Sequence, residues 1–89
     1  MKGLLATQEL SPDTALLIMP CNSVHTFFMN YSIDVIYLDK QAKIKKIVSQ
    51  LKPWRLSMSL ASTTTLELAS GMAEKLNLTL GQQLKWTNE

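Results

Sequence analysis

Eighty-nine residues, 46% hydrophobic and 18% charged with a net charge of +2, describe a folded domain rather than a disordered chain. A chain of this size buries roughly 60–70% of its unfolded surface without metal or disulfide staples. A lone cysteine excludes an internal disulfide, and the longest apolar run, residues 15–19, is far short of the ~20 residues of a membrane span.

The opening Met1-Lys2-Gly3-Leu4-Leu5-Ala6 has too little apolar core for a signal peptide. The expectation is therefore one domain over residues 1–89, located in the cytoplasm, with no membrane partner. Lys40, Lys43, Lys45 and Lys46 form a local basic cluster. It reads as a solvated hairpin flank, because nucleic-acid domains carry a larger excess with interleaved aromatics. No nucleic-acid partner is expected.

Residues 1–14 show no clear period, and Ser11-Pro12-Asp13 signals a turn. Residues 15–19 form a short apolar run ended by Pro20, which suits a buried strand. Asn22-Ser23 reads as loop, Thr26-Phe27-Phe28-Met29 as a second strand, and Asn30-Tyr31-Ser32 as a turn. Residues 33–38, rich in β-branched and aromatic side chains, are the strongest strand. Asp39-Lys40-Gln41-Ala42 reads as a turn opened by aspartate, leading into residues 43–50 as the return strand. The alternation there is imperfect: Ile44 and Val48 would share a face and Ile47 would not, which predicts a bulge or a two-sided strand.

Pro53 interrupts the pattern, and residues 56–62 have no clean period. Residues 63–68 alternate, with Thr64, Leu66 and Leu68 on one face and Thr63, Thr65 and Glu67 on the other. One short helix follows: Ser70 as N-cap, Met72, Ala73 and Leu76 as the apolar stripe, and Asn77 in the left-handed conformation at its end. Gly81 turns the chain into a last strand over residues 83–86. The fold class is mainly β (α+β): a small compact domain, barrel-like or sandwiched, with one minor helix.

Cys21 and His25 are four apart, but Pro20 before them and Asn22-Ser23 between them argue against a shared helical face. A zinc site needs further ligands, and the chain has no other Cys or His. No metal and no cofactor are expected. A Cys–His nucleophilic pair lacks an evident third group. Asp34, between Ile33 and Val35 in the most apolar strand, must be satisfied by partners, either loop N–H groups or Arg55, or serve as an acid, base or ligand hook. Trp54 and Arg55 follow Pro53 and offer a flat aromatic beside a planar cation suited to carboxylate or phosphate. Glu67 is equally compatible with a solvated or a buried position. The methionines at 19, 29, 58 and 72 read as core filler.

The motifs Met1-Lys2-Gly3-Leu4-Leu5, Leu17-Ile18-Met19-Pro20-Cys21-Asn22-Ser23-Val24-His25-Thr26-Phe27-Phe28-Met29 and Ile33-Asp34-Val35-Ile36-Tyr37-Leu38-Asp39 resemble an uncharacterised prokaryotic family, domain of unknown function 192. Lys52-Pro53-Trp54-Arg55, Leu66-Glu67-Leu68-Ala69-Ser70-Gly71 and Leu80-Gly81 continue the match in order over nearly the whole chain. The resemblance implies a compact β-rich domain and no established activity. Its recurrent positions fall on Met29, Asp34, Leu38, Asp39, Glu67 and Gly71, with Cys21, His25, Pro53, Trp54 and Arg55 in the longer-motif members. Many members carry an export segment that this chain is expected to lack, and Gln82 stands where an acidic residue is common. Both departures weigh against an exported role.

Three functions remain open. The first is a binding module holding a small anionic ligand or a peptide terminus, built from His25, Asp34, Trp54, Arg55 and Glu67. The second is a hydrolytic or acid–base enzyme using Asp34 or Glu67 with His25. The third is an accessory protein that docks a partner through an edge strand.

Overall fold

A computed structural model of the chain describes residues 15–85. Six strands and one helix follow in the order β1 (Ala15–Ile18), β2 (Ser23–His25), β3 (Ile33–Leu38), β4 (Ile44–Leu51), β5 (Leu56–Met58), β6 (Thr64–Ala69) and α1 (Met72–Lys75). A four-stranded antiparallel sheet runs β1-β6-β3-β4, and a two-stranded antiparallel sheet pairs β2 with β5. The β-rich class with one short helix is therefore as expected. The sheets do not close into a barrel: among the described residues they are two separate layers. The Ser11-Pro12-Asp13 turn and the Trp86 end of the last strand lie outside the described residues.

The central strand decides the architecture. All six residues of β3 are buried, because both faces of the sheet are covered, and alternation along the strand sends neighbours to opposite faces. Ile33, Val35 and Tyr37 pack with Val24 of β2 and with Met29 and Tyr31. Ile36 and Leu38 pack with Ile44, Leu68 and Ala73 of α1. One face of the four-stranded sheet thus lies under the β2–β5 layer, and the other lies under the helix. A hydrogen bond from the Tyr37 hydroxyl to Ser57 Oγ at 3.0 Å and one from Lys46 Nζ to the Met58 carbonyl at 2.8 Å fasten β5 to the first face. The rest of the lysine cluster is exposed.

The hairpin between β3 and β4 forms as its sequence demands. Asp39 Oδ1 accepts from the N–H groups of Gln41 and Lys43 at 2.9 and 3.0 Å, an aspartate-opened turn. The bulge expected in β4 is present twice. Leu38 opposes Ile44 while Tyr37 opposes Lys46, so Lys45 is extra; Ile33 opposes Leu51 while Val35 opposes Val48, which leaves an extra residue near Gln50. The first bulge separates Ile44 and Val48, which pack into opposite cores rather than sharing a face.

Two expected strands are not formed. Residues 26–29 make a tight turn, with the Met29 N–H donating to the Thr26 carbonyl at 3.2 Å and Phe28 at φ 68°. The strand lies just upstream, over Ser23–His25, including the serine read as loop. Beyond Gly81 the described residues form an isolated bridge between Lys43 and Gln83 rather than a strand, although the Gly81 N–H donates to the Ile44 carbonyl and the Ile44 N–H to the Gln82 carbonyl. The residues without clean period do contain a strand, β5, whose Leu56 and Met58 point outward while Ser57 points in. The helix cap also differs: Gly71, at φ 90°, precedes α1 and no side chain of its own segment caps it. Asn77 adopts the expected left-handed conformation at φ 56°.

Candidate functional site

Thr26 organises the most unusual surface of the molecule. Its hydroxyl, on a fully buried residue, donates to the Lys52 carbonyl at 2.6 Å and accepts from the Arg55 N–H at 2.9 Å. In a four-residue turn those two backbone groups ordinarily bond to each other. Here a side chain from 29 residues away stands between them. The Thr26 carbonyl receives the N–H groups of both Met29 and Trp54, and the Thr26 N–H donates to the Arg55 carbonyl. One threonine therefore locks the turn at 26–29 onto the turn at 52–55.

Each locked turn presents an aromatic residue in left-handed backbone, Phe28 at φ 68° and Trp54 at φ 62°. That conformation costs a bulky residue about 1–2 kcal/mol, and such strain persists only where the surroundings fix it. The rings form a continuous chain. His25 stacks on Phe27 at 4.9 Å between centroids, Phe27 on Trp54 at 5.8 Å, and Phe28 meets Trp54 edge-on at 4.8 Å. Phe28 remains 72% exposed and Trp54 56%. Arg55 lies beside them on the surface; its guanidinium reaches only the Pro53 and Trp54 carbonyls, both at a long 3.4 Å. No described carboxylate pairs with it.

The five expected site residues divide. His25, Trp54 and Arg55 come together at this aromatic platform. Asp34 and Glu67 do not, and they lie on opposite faces of the sheet. Asp34 is on the helix side, directly opposite Leu68. Its Oδ1 accepts the Gln50 N–H at 2.8 Å and its Oδ2 the Ala73 N–H at 2.7 Å. The carboxylate thus holds the second β4 bulge, where Gln50 has φ 54°, and satisfies a first-turn amide of α1 that its own segment leaves uncapped. These two bonds give the carboxylate a structural role, and the sheet separates it from Glu67.

Glu67 stands opposite Val35 on one side and Leu16 on the other, so it faces the β2–β5 layer. It is completely buried, and among the described residues neither carboxylate oxygen has a hydrogen-bond partner. Burial pushes its carboxyl up to about 7. Cys21 is also buried; its thiol donates to the Ser23 carbonyl at 3.0 Å. His25 belongs to the aromatic stack, with Nδ1 buried and without a hydrogen-bond partner among the described residues. Among the described residues no three His, Cys, Asp or Glu side chains gather as a metal centre needs.

Thr26, Phe27 and Phe28 were not legible as site residues. An apolar Thr-Phe-Phe-Met run matches a strand, and the pairing of Thr26 with the 52–55 turn is long-range. Two shallow concavities lie elsewhere. One of about 310 Å³ is lined by Pro20, Cys21, Asn22, Ser62 and Thr63; a second of about 370 Å³ shares Pro20 and Thr63 and adds Met19, Lys40 and Thr64. No described helix is long and apolar enough to cross a membrane.

Comparison with known proteins finds relatives in both sequence and fold. A UPF0127 protein from Pyrococcus horikoshii is 37% identical over 65 residues, 72% of this chain and 56% of its own length. One from Thermococcus sibiricus is 32% identical over 94 residues, covering 99% of this chain and 60% of its own. The chain thus spans a little over half the length of these curated relatives. The crystal structure of a protein of unknown function from Novosphingobium aromaticivorans superposes with a TM-score of 0.83 at 18% identity, covering 94% of this chain and 65% of that one; at that identity the likeness concerns the fold alone. The family model DUF192, described as Uncharacterized ACR, COG1430, matches residues 1–86. The chain belongs to the DUF192 family.

Proposed function

We propose that the domain is a binding module whose aromatic platform and Arg55 take a small ligand bearing a carboxylate beside an apolar or planar group, such as a peptide carboxy-terminus. The observation that carries this reading is the strained, exposed pair Phe28 and Trp54, locked in place by Thr26 next to a cation with no carboxylate partner. Apolar rings at the surface would gain by being covered, and a planar guanidinium binds carboxylate through two parallel hydrogen bonds. Lys52, also exposed, adds positive charge at the start of the same turn. Asp34 and Glu67, held beneath opposite faces, take no part.

The test is calorimetric titration with N-acetyl-phenylalanine and with a hydrophobic hexapeptide, each as the free acid and as the amide. The free acids are expected to bind and the amides to bind at least tenfold more weakly. Arg55→Ala should erase the difference between acid and amide, and Trp54→Ala should weaken both. Equal binding of acid and amide, or none at millimolar concentration, refutes the proposal.

A further inference from the structure

The buried carboxyl of Glu67 is used neither by the aromatic platform nor by the polar anchors of the fold. Native interiors seldom leave such a group without hydrogen bonds, and a charge there is far costlier than a neutral carboxyl. Its surroundings are set by register. Across the strands lie Val35 of β3 and Leu16 of β1. On the same face, Tyr37 of β3 stands opposite Thr65 of β6, and Thr65 Oγ1 donates to the Cys21 carbonyl at 3.0 Å. The titratable and charged groups on this face are Tyr37 from β3, Tyr31 from the bend just before β3, Cys21 from the β1–β2 connection and Lys46 from β4, whose Nζ lies 5.9 Å from the Tyr37 ring centroid and is engaged by the Met58 carbonyl. The covering layer contributes Val24 from β2 and Ser57 from β5, neither titratable, and His25 alternates with Val24 toward the other side of β2. Tyr37 feels the cluster: burial raises its phenol, the hydrogen bond to Ser57 works against that, and electrostatic interaction with its neighbours, Glu67 among them, raises it further.

We infer that Glu67 makes the seating of the β2–β5 layer on the four-stranded sheet proton-dependent. With the carboxyl neutral the two layers stay closed. Once ionised, it holds a buried charge that no hydrogen bond among the described residues satisfies, and the layer opens to let water solvate it. The described polar fastenings on this face are Tyr37 to Ser57, Lys46 to Met58, Thr65 to Cys21 and the Cys21 N–H to the Thr63 carbonyl; parting the layers also uncovers Val24, so the open form is a minor one whose population ionisation raises. The inference concerns the interior beneath β2 and β5 and does not depend on whether the aromatic platform binds a ligand.

Cys21 is a built-in reporter, since its buried thiol lies in the connection that this opening would expose. The experiment measures N-ethylmaleimide labelling of Cys21 in the native protein and in Glu67→Gln from pH 5.5 to 8.5. The ratio of native to variant rates at each pH removes the intrinsic rise in thiolate. With a carboxyl near 7 when closed and 4.5 when open, linkage gives a rise in that ratio of about thirtyfold across the range. A ratio constant within twofold overturns the inference. Carbon-13 NMR titration of the Glu67 carboxyl in the native protein needs no variant and decides the matter if Glu67→Gln fails to fold. A midpoint near 7, accompanied by broadening of Val24 and Ser57 resonances, supports the switch; a midpoint near 4.5, or Val24 and Ser57 unchanged through the titration, overturns it.

Discussion

Replacing Asp34 should destabilise the protein more than any other single polar change in the four-stranded sheet, because one carboxylate serves two distant backbone amides. Asp34 is fully buried, and its bonds of 2.8 Å to Gln50 and 2.7 Å to Ala73 are charge-assisted, each worth about 1.5–3 kcal/mol. The two amides then fare differently. Gln50 is exposed, so water can reach its N–H. Ala73 is buried, so its N–H is left unsatisfied at a further cost of about 1–3 kcal/mol. In Asp34→Asn one oxygen still accepts a bond while the new amide group points a donor at a donor. The expected loss is about 2 kcal/mol for Asn, which keeps one of the bonds, and about 4 kcal/mol or more for Ala, which loses both. For a domain this size that lowers Tm by roughly 8–16 °C in the Asn variant. Urea unfolding followed by far-ultraviolet circular dichroism measures it, with exposed Glu74→Gln as the surface comparison. An Asp34→Asn variant within about 0.5 kcal/mol of wild type would refute the reasoning, since it would mean that neither bulge nor helix start depends on the carboxylate.

Thr26→Val keeps the shape but removes the hydroxyl bridging Lys52 and Arg55; a loss of about 1–3 kcal/mol and a red-shifted, more quenchable tryptophan emission are expected, and an unchanged Tm would contradict the lock. Gly71→Ala meets nothing within 4 Å but must hold φ 90°, so differential scanning calorimetry should show a purely backbone loss of about 1 kcal/mol. Glu67, with its folded value raised above the unfolded 4.5 to about 7, binds its proton more tightly when folded. Its contribution is therefore fully present below pH 4.5, falls as pH rises, and is lost above pH 7, a decline of at most about 3 kcal/mol. Unfolding midpoints measured at pH 5 and pH 8 should show this slope in wild type and a flatter one in Glu67→Gln.

The local chemistry of several segments was enough to place them. Residues 33–38 are a strand because β-branched and aromatic side chains fit a buried pleat, and the Asp39 turn and the β4 bulge follow from residue types a few positions apart. The need for partners around Asp34 was equally legible, since a carboxylate between Ile33 and Val35 has no water to turn to. Which partners it finds was not. They come from Gln50 and Ala73, 16 and 39 residues away, and were fixed only when β4 and α1 closed over the strand. The aromatic platform shows the same division. Trp54 and Arg55 advertise themselves after Pro53, but the Thr26-Phe27-Phe28-Met29 run is turned out of its strand by a hydroxyl that bonds across 29 residues. For Glu67 the strand parity was readable, with Thr65 and Glu67 sharing a face. Whether that face meets water or a second sheet depends on where β2 and β5 pack. Periodicity within a strand is a local property of the chain, whereas the layer that covers a face is chosen by all the strands together, and that choice put Asp34 and Glu67 on opposite sides of one sheet.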